Sequence, residues 1–269
     1  MSLVVVMGGK EAPGATTTAL ALACTWPAPT RQVVEADPDG GVMAARFGLS
    51  YEPGLVSLAA LGRRDLDGET LTAHTQVLGD HGLALLAAPA LPEQVAGALA
   101  VVAAPLAEAC SSLPDAVVTV DVGRAWPDAP PIRALVDAAT AVLLVARPRL
   151  EDVAQLRARW RAARTRNRWV GILLVGQRSY SPAEVAAAID PAEAPLLVWG
   201  VLPDDALGAE VLNGRRFAPP WGLRKSQLMR SARTIADHAA ARLGLTAPDA
   251  AAGDGDGGRD RVGMTEPTL

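Results

Sequence analysis

Three features of the sequence predict an α/β fold: a doubly wound, mostly parallel sheet with helices on both faces. Short apolar runs alternate with helical stretches along most of the chain. Those runs are apolar throughout rather than alternating apolar and polar, as strands are when a parallel sheet is covered on both sides. The first run, within residues 4–22 (VVVMGGKEAPGATTTALAL), passes through a Gly- and Pro-containing turn into an Ala/Thr/Leu helix. That strand–loop–helix order is the context in which a phosphate-loop spacing has meaning.

Taken in order, the second apolar strand spans 32–36 and ends in acids: Glu35, Asp37 and Asp39, then Gly40 and Gly41. The Asp-Pro-Asp-Gly run is strong turn chemistry, and the carboxyl end of a parallel strand is where open α/β sheets bind ligands. A short helix is expected at 55–61 and a longer one at 66–78, then a strand at 83–86 and a helix at 92–110. A strand at 116–120 closes on Asp121, followed by Gly123 and Arg124. Strands at 141–146, 170–175 and 196–202 alternate with helices at 150–166, 181–189, 206–213 and 223–243. Ser181, Pro182 and Glu184 make a proper helix start, and Gly244 a stop. Residues 1–246 form one nucleotide-loop domain on this reading. The remainder, 247–269, is acidic and Gly-rich and is too polar to offset the entropy of ordering, so it is expected to be disordered.

The 269 residues suffice for one large domain. A composition of 50% hydrophobic and 20% charged residues suits a sizeable core, and with 4% aromatics the helices should pack through small side chains. A net charge of −4 offers no strong nucleic-acid signal. No apolar stretch reaches the ~18 residues of a membrane helix, and no basic leader precedes the first strand; a cytoplasmic protein is expected. Cys24 and Cys110 read as buried thiols of a reducing compartment. His74 and His81 lack metal-ligand spacing. The arginines 157, 159, 161, 164, 166 and 168 read as solvated helix charges balanced by Glu151 and Asp152.

The chemistry concentrates in the first loop. Gly9, Gly14 and Thr16 give the spacing G-x-x-x-x-G-x-T. Glycines let backbone N–H groups approach a phosphate, and the following helix directs its positive end at the anion. Thr16 stands where a hydroxyl holds Mg²⁺. The lysine expected between Gly14 and Thr16 is replaced by Ala15. Lys10, one of only two lysines in a chain that otherwise uses arginine, lies inside the loop. Asp121 is placed as the second acid organising the metal.

These segments together resemble the ParA/MinD ATPases among the deviant phosphate-loop NTPases. The resemblance spans about residues 3–243. It places Lys10 on the signature lysine that reaches across an ATP-sandwich homodimer, Gly14 on the loop glycine, and Thr16 on the Mg²⁺ ligand. It implies ATP and Mg²⁺ as cofactors, with Gly9, Lys10, Pro13, Gly14, Ala15, Thr16 and Thr17 around the phosphates. Asp37 falls on the acid implicated in orienting the attacking water, Asp121 on the Walker B acid, and Thr16, Asp37 and Asp121 on the metal side. Asp37 and Lys10 are thus the catalytic candidates. Gln177 and Arg178 resemble the base-contacting pair, and Pro203 and Asp204 the later segment beside the adenine.

Departures from the family are as informative. Ala15 removes the lysine that cradles the β- and γ-phosphates, and Glu11 sets a carboxylate where the family has glycine. Members with degraded loops, such as the TadZ-type pilus-positioning proteins, resemble this case. Three functions follow: an ATP-binding, dimerising positioning or partitioning protein with slow or absent hydrolysis and an unknown protein partner; a pseudo-ATPase scaffold; and, on the same fold, a small-molecule enzyme of the dethiobiotin-synthetase type. The C-terminal amphipathic membrane helix of MinD has no counterpart in the acidic tail.

Overall fold

The computed structural model describes residues 2–9, 14–62, 66–78, 82–176, 179–217 and 220–245. At its centre is β1 (Ser2–Gly8), every residue of which is buried. It is flanked by β5 (Ala116–Asp121) and β6 (Ala141–Ala146), both parallel to it. Outward from β5 lie β2 (Thr30–Glu35), β4 (Leu83–Leu86) and β3 (Gln76–Leu78); outward from β6 lie β7 (Val170–Val175) and β8 (Val198–Leu202). The eight-stranded order is β3-β4-β2-β5-β1-β6-β7-β8, and only β3 runs antiparallel to its neighbour. The mostly parallel, doubly wound sheet is the one expected.

Helices cover both faces, which is why the strands tolerate no polar alternation. On one face α1 (Ala15–Ala23), α2 (Met43–Phe47), α10 (Ala206–Leu212), α11 (Pro220–Arg224) and α12 (Gln227–Leu243) pack over Val4, Val6, Val33, Leu143 and Leu173. Alanines 19, 21 and 23 of α1 and alanines 232, 236, 239 and 240 of α12 are all buried there, the small-residue packing that the composition implies. On the other face α3 (Leu55–Ala60), α4 (Gly68–Ala73), α5 (Pro92–Ser112), α6 (Arg133–Ala138), α7 (Leu150–Arg164), α8 (Pro182–Ile189) and α9 (Ala194–Leu197) cover Leu3, Val5, Val34, Val118 and Leu144. By length and composition α5 is apolar enough to cross a membrane. Here its Val95, Leu99, Val102, Leu106 and Cys110 are buried in the core.

Most elements fall where periodicity puts them, and the start of α8 carries the full capping box, Ser181 with Glu184. Four differences have local causes. The helix expected at 66–78 is only α4: Asp67 caps Thr70 and the helix ends at His74, after which Gln76, Val77 and Leu78 pair with Leu85, Ala84 and Leu83. The helix expected at 223–243 breaks at Lys225, because the Ser226 side chain accepts from the Met229 N–H and starts α12 afresh. The strand expected from 196 starts two residues later, after the single turn of α9. The short helices α2 and α6 carry too few apolar repeats to stand out. The disorder expected for 247–269 lies outside the described residues, as does His81.

One buried polar contact ties α1 to the middle of the sheet. The Trp26 indole, 2% exposed, donates to Thr119 Oγ1 at 3.0 Å. Replacing Thr119 with Val keeps the shape but leaves the indole N–H unpaired in the core. Chemical denaturation of Thr119→Val should show a loss of about 1–3 kcal/mol; a variant as stable as the parent would mean that the indole finds another acceptor.

Candidate functional site

The site is assembled at the carboxyl ends of β1, β2 and β5. The end of β1 is stitched to both neighbours: Gly8 N–H donates to Gly123 O at 2.7 Å and Gly9 N–H to Val145 O at 3.1 Å. The loop then reaches Gly14, in the left-handed region at φ 81°, which precedes α1 without a side-chain cap. The N–H groups of the first turn of α1 are therefore not consumed by a capping side chain. Ala15 is 2% exposed. Lys10, Glu11 and Pro13 lie outside the described residues, so the placement expected for the two candidate loop residues Lys10 and Pro13 is untested.

Thr16 meets its predicted partner. Its hydroxyl lies close enough to the carboxyl of Asp121 to lower its pKa, and that carboxyl accepts from Gly123 N–H at 3.0 Å. Asp121 is fully buried, and burial pushes its carboxyl up to about 7. The Thr16 hydroxyl and the Gly123 N–H oppose that rise, and the nearby charges of Asp37 and Glu35 add to it. Asp37 is half-buried and its carboxyl is raised by burial too; Asp39 N–H donates to its Oδ1 at 3.0 Å, and Arg124 partly offsets the shift. Glu35 is a clasp rather than a ligand. Its Oε1 accepts from Val42 and Met43 N–H (2.6 and 2.9 Å) and its Oε2 from Ala88 N–H (3.1 Å), fixing the start of α2 and the end of β4.

Gly123 joins Asp37 to Asp121. Its φ is +56°, and a Cβ built there would meet Asp37 Oδ2 at 1.8 Å. A bare Cα leaves the Asp37 carboxylate room to lie against the turn after β5. The second turn is held from behind. Arg159, 8% exposed, donates to Ala125 O (2.8 Å) and Arg124 O (2.9 Å) and lies 4.9 Å from the Trp126 ring. Arg157, Arg161 and Arg168 are exposed as expected, but the other three arginines depart from a simple solvated face. Arg159 is a buried brace, Arg164 pairs with Glu193 and Arg166 with Asp137. Arg124 in turn pairs with Asp39 at 2.8 Å.

On the other side of α1, Thr17 Oγ1 accepts from Asn213 Nδ2 at 2.9 Å, and Asn213 Oδ1 accepts from Arg46 Nη1 at 2.7 Å. Sequence reasoning missed Arg46 and Asn213. Asn213 closes a predicted helix and Arg46 lies on a helix too short to see; the one signal was that a chain lacking its loop lysine must place a cation elsewhere. Pro203 and Asp204 follow β8 as expected, and Asp204 borders an open cleft of about 680 Å³ shared with Asp205, Val211, Arg216 and Lys225. Asp205 is structural, accepting from Gly208 and Leu228 N–H. Gln177 and Arg178 lie outside the described residues; the preceding Gly176 N–H donates to Leu202 O.

The donor set suits Mg²⁺ held by a hydroxyl and a nearby acid. Mg²⁺ bound beside phosphates takes one or two protein ligands and keeps several waters. Among the described residues no group of three or more His, Cys, Asp or Glu is arranged to hold a metal by itself. The residues that fit the ion are Thr16 and Asp121, with Asp37 facing them.

A glycine-opened loop after the central strand, a Thr hydroxyl beside the buried acid that ends the adjacent β5, and acids at and just after the end of β2 define a phosphate-loop NTPase fold. It is, in particular, the ParA/MinD-like form of that fold. Solved structures of that kind cover nearly the whole chain. A ParA family ATPase from Chlorobium tepidum superposes with a TM-score of 0.70 at 16% identity, covering 88% of this chain and 99% of that one. The septum site-determining protein MinD of Pyrococcus horikoshii, complexed with Mg-ADP, gives 0.69 at 14%, covering 92% and 99%. The ATP complex of a point variant of Cyanothece McdA gives 0.63 at 17%, covering 88% and 96%. At such identities the likeness is one of fold. No family model and no curated protein matches the chain.

Two outcomes follow. Gly123→Ala places a methyl on the Asp37 carboxylate and an L side chain at positive φ, so it should cost roughly 1–3 kcal/mol and displace Asp37 in a crystal structure; an unchanged melt with Asp37 in place would show that the turns are not interlocked. In metal-free protein, the raised Asp121 carboxyl favours folding below its unfolded value near 3.8, and that advantage is lost as pH rises through about 7. Stability in EDTA should therefore fall between pH 4 and 7, and Asp121→Asn should flatten the fall and raise stability at pH 8; parallel pH profiles for the two proteins would refute the assignment.

Proposed function

We propose that this chain is a cytoplasmic ParA/MinD-type protein that binds ATP·Mg²⁺ through its first loop, dimerises around the nucleotide, and turns it over slowly or not at all while serving intracellular positioning or partitioning. The observation that carries the reading is the buried Asp121 carboxyl at the end of β5, with the Thr16 hydroxyl of the first turn of α1 beside it. A hydroxyl beside a buried acid at the end of the neighbouring strand is what Mg²⁺ at a phosphate loop requires. Mg²⁺, when bound, supplies charge neutralisation between phosphates. Gly14 leaves the N–H groups of α1 to meet the anion, and Asp37 is the residue for orienting a water. Lys10 supplies a point charge across the dimer. Structural neighbours crystallised with Mg-ADP and with ATP support the choice of nucleotide.

Slow turnover follows from Ala15. A lost phosphate-clamping cation costs on the scale of ~3–4 kcal/mol of transition-state stabilisation when nothing replaces it. The buried methyl of Ala15 also favours a second reading, a pseudo-ATPase scaffold whose dimer ignores nucleotide. Size-exclusion chromatography separates the two. The parent should shift from monomer to dimer with ATP·Mg²⁺, Lys10→Ala should stay monomeric, and Ala15→Lys should dimerise at lower nucleotide concentration. An elution volume indifferent to millimolar ATP·Mg²⁺ in the parent, with no heat on titration, would leave the scaffold reading.

A further inference from the structure

The bond from Arg46 to Asn213 to Thr17 serves no packing need that an apolar contact could not meet. Asn213 is 5% exposed, and both ends of its amide are used: Nδ2 donates to Ala209 O (2.7 Å) and Thr17 Oγ1 (2.9 Å), and Oδ1 accepts from Arg46 (2.7 Å). The Ala209 carbonyl fixes which way the amide faces, so Asn213 can only accept from Arg46. The next residue, Gly214, has φ +68°, and a Cβ there would meet the Phe47 ring at 2.8 Å and Arg46 O at 2.9 Å. The 213–215 turn is thus seated directly on α2, and it carries Arg215 close enough for its charge to bear on Arg46.

Arg46 is thereby brought beside the first turn of α1, the helix whose lysine position is Ala15, with Arg215 within electrostatic reach of it. Neither forms an ion pair with a carboxylate among the described residues. Glu35 and Asp121 lie within electrostatic reach of Arg46, but Glu35 is occupied by three backbone N–H groups and Asp121 by the Gly123 N–H. Like charges held together without an anion between them are unfavourable, and a polyphosphate is the anion that relieves them.

We propose that Arg46 binds the polyphosphate of the nucleotide from within the same subunit, with Arg215 beside it, and so replaces the charge lost at Ala15; Asn213 is the positioning residue that aims the guanidinium at Thr17. This rests on the nucleotide reading above. Half-buried, Arg46 offers N–H groups in a planar fork whose one arm is fixed by Asn213. It differs from a loop lysine in entering from α2, the helix whose first turn Glu35 clasps.

Isothermal titration with ATP·Mg²⁺ and with adenosine, together with thermal melts, tests it on the parent, Arg46→Ala, Arg46→Lys, Arg215→Ala, Asn213→Ala and the double variant Ala15→Lys/Arg46→Ala. Arg46→Ala should weaken ATP·Mg²⁺ by about tenfold to a hundredfold, the scale of a lost charge-assisted bond. Arg215→Ala and Asn213→Ala should weaken it severalfold, and affinity for adenosine should not change. Lysine at position 15 should restore the affinity lost in Arg46→Ala, which a merely structural role for Arg46 would not allow. If the parent binds ATP·Mg²⁺ and Arg46→Ala binds it equally well, this assignment falls and the nucleotide reading stands. If the parent binds no nucleotide, both fall. Should Arg46→Ala fail to fold, Arg46→Lys and Arg215→Ala decide, and parental affinity in both overturns the proposal.

Discussion

A carboxylate buried at the end of β5 is the constraint around which the loop-bearing end of this molecule is arranged. Asp121 cannot be left without partners in an environment that disfavours its charge. The Thr16 hydroxyl and the Gly123 N–H answer that need, and each answer sets geometry. The first fixes where α1 begins relative to the sheet. The second folds the turn after β5 back on itself, so that Gly123 faces the turn after β2. Burial of a single acid thus brings three loops to one place.

The supports behind those loops come from both sides of the sheet. Glu35 uses three backbone donors to bind α2 and the end of β4. Arg159 reaches from α7 to two carbonyls of the Asp121 turn. Asn213 reaches from the end of α10 to Thr17 and Arg46. Each is a buried polar side chain whose partners are mostly backbone or a residue of the site, so its work is to hold loops in place. In the ParA/MinD-like fold of this chain Ala15 stands at the position where a loop lysine was expected, and these three side chains hold the loops around it.

The sheet was legible because parallel strands with both faces covered carry an unmistakable run of apolar residues, and seven of the eight were located from that alone to within two residues. The missed strand and the late start of β8 are instructive. Val77 in β3 is 68% exposed, so this edge strand has no apolar signature and its residues continue the helical pattern before them. In β8 the preceding turn of α9 begins with Ala-Pro-Leu-Leu, which blends into the strand. Of the site, Gly14, Thr16, Asp37 and Asp121 were legible because a turn, a hydroxyl and acids at strand ends have fixed spacings. Arg46, Asn213 and Arg159 were not, since their roles depend on contacts between residues 34 to 196 positions apart. No local pattern encodes such contacts.

The contact of Asp37 with the bare Cα of Gly123 has one more consequence. A carboxylate resting on backbone couples the two turns: a side chain added in the turn after β5 would displace Asp37. Arg124 leaves that same turn to meet Asp39, closing a small ring through side chain and main chain. The two turns therefore act as one lever with its fulcrum at residue 123, and α7, through Arg159, holds the long arm.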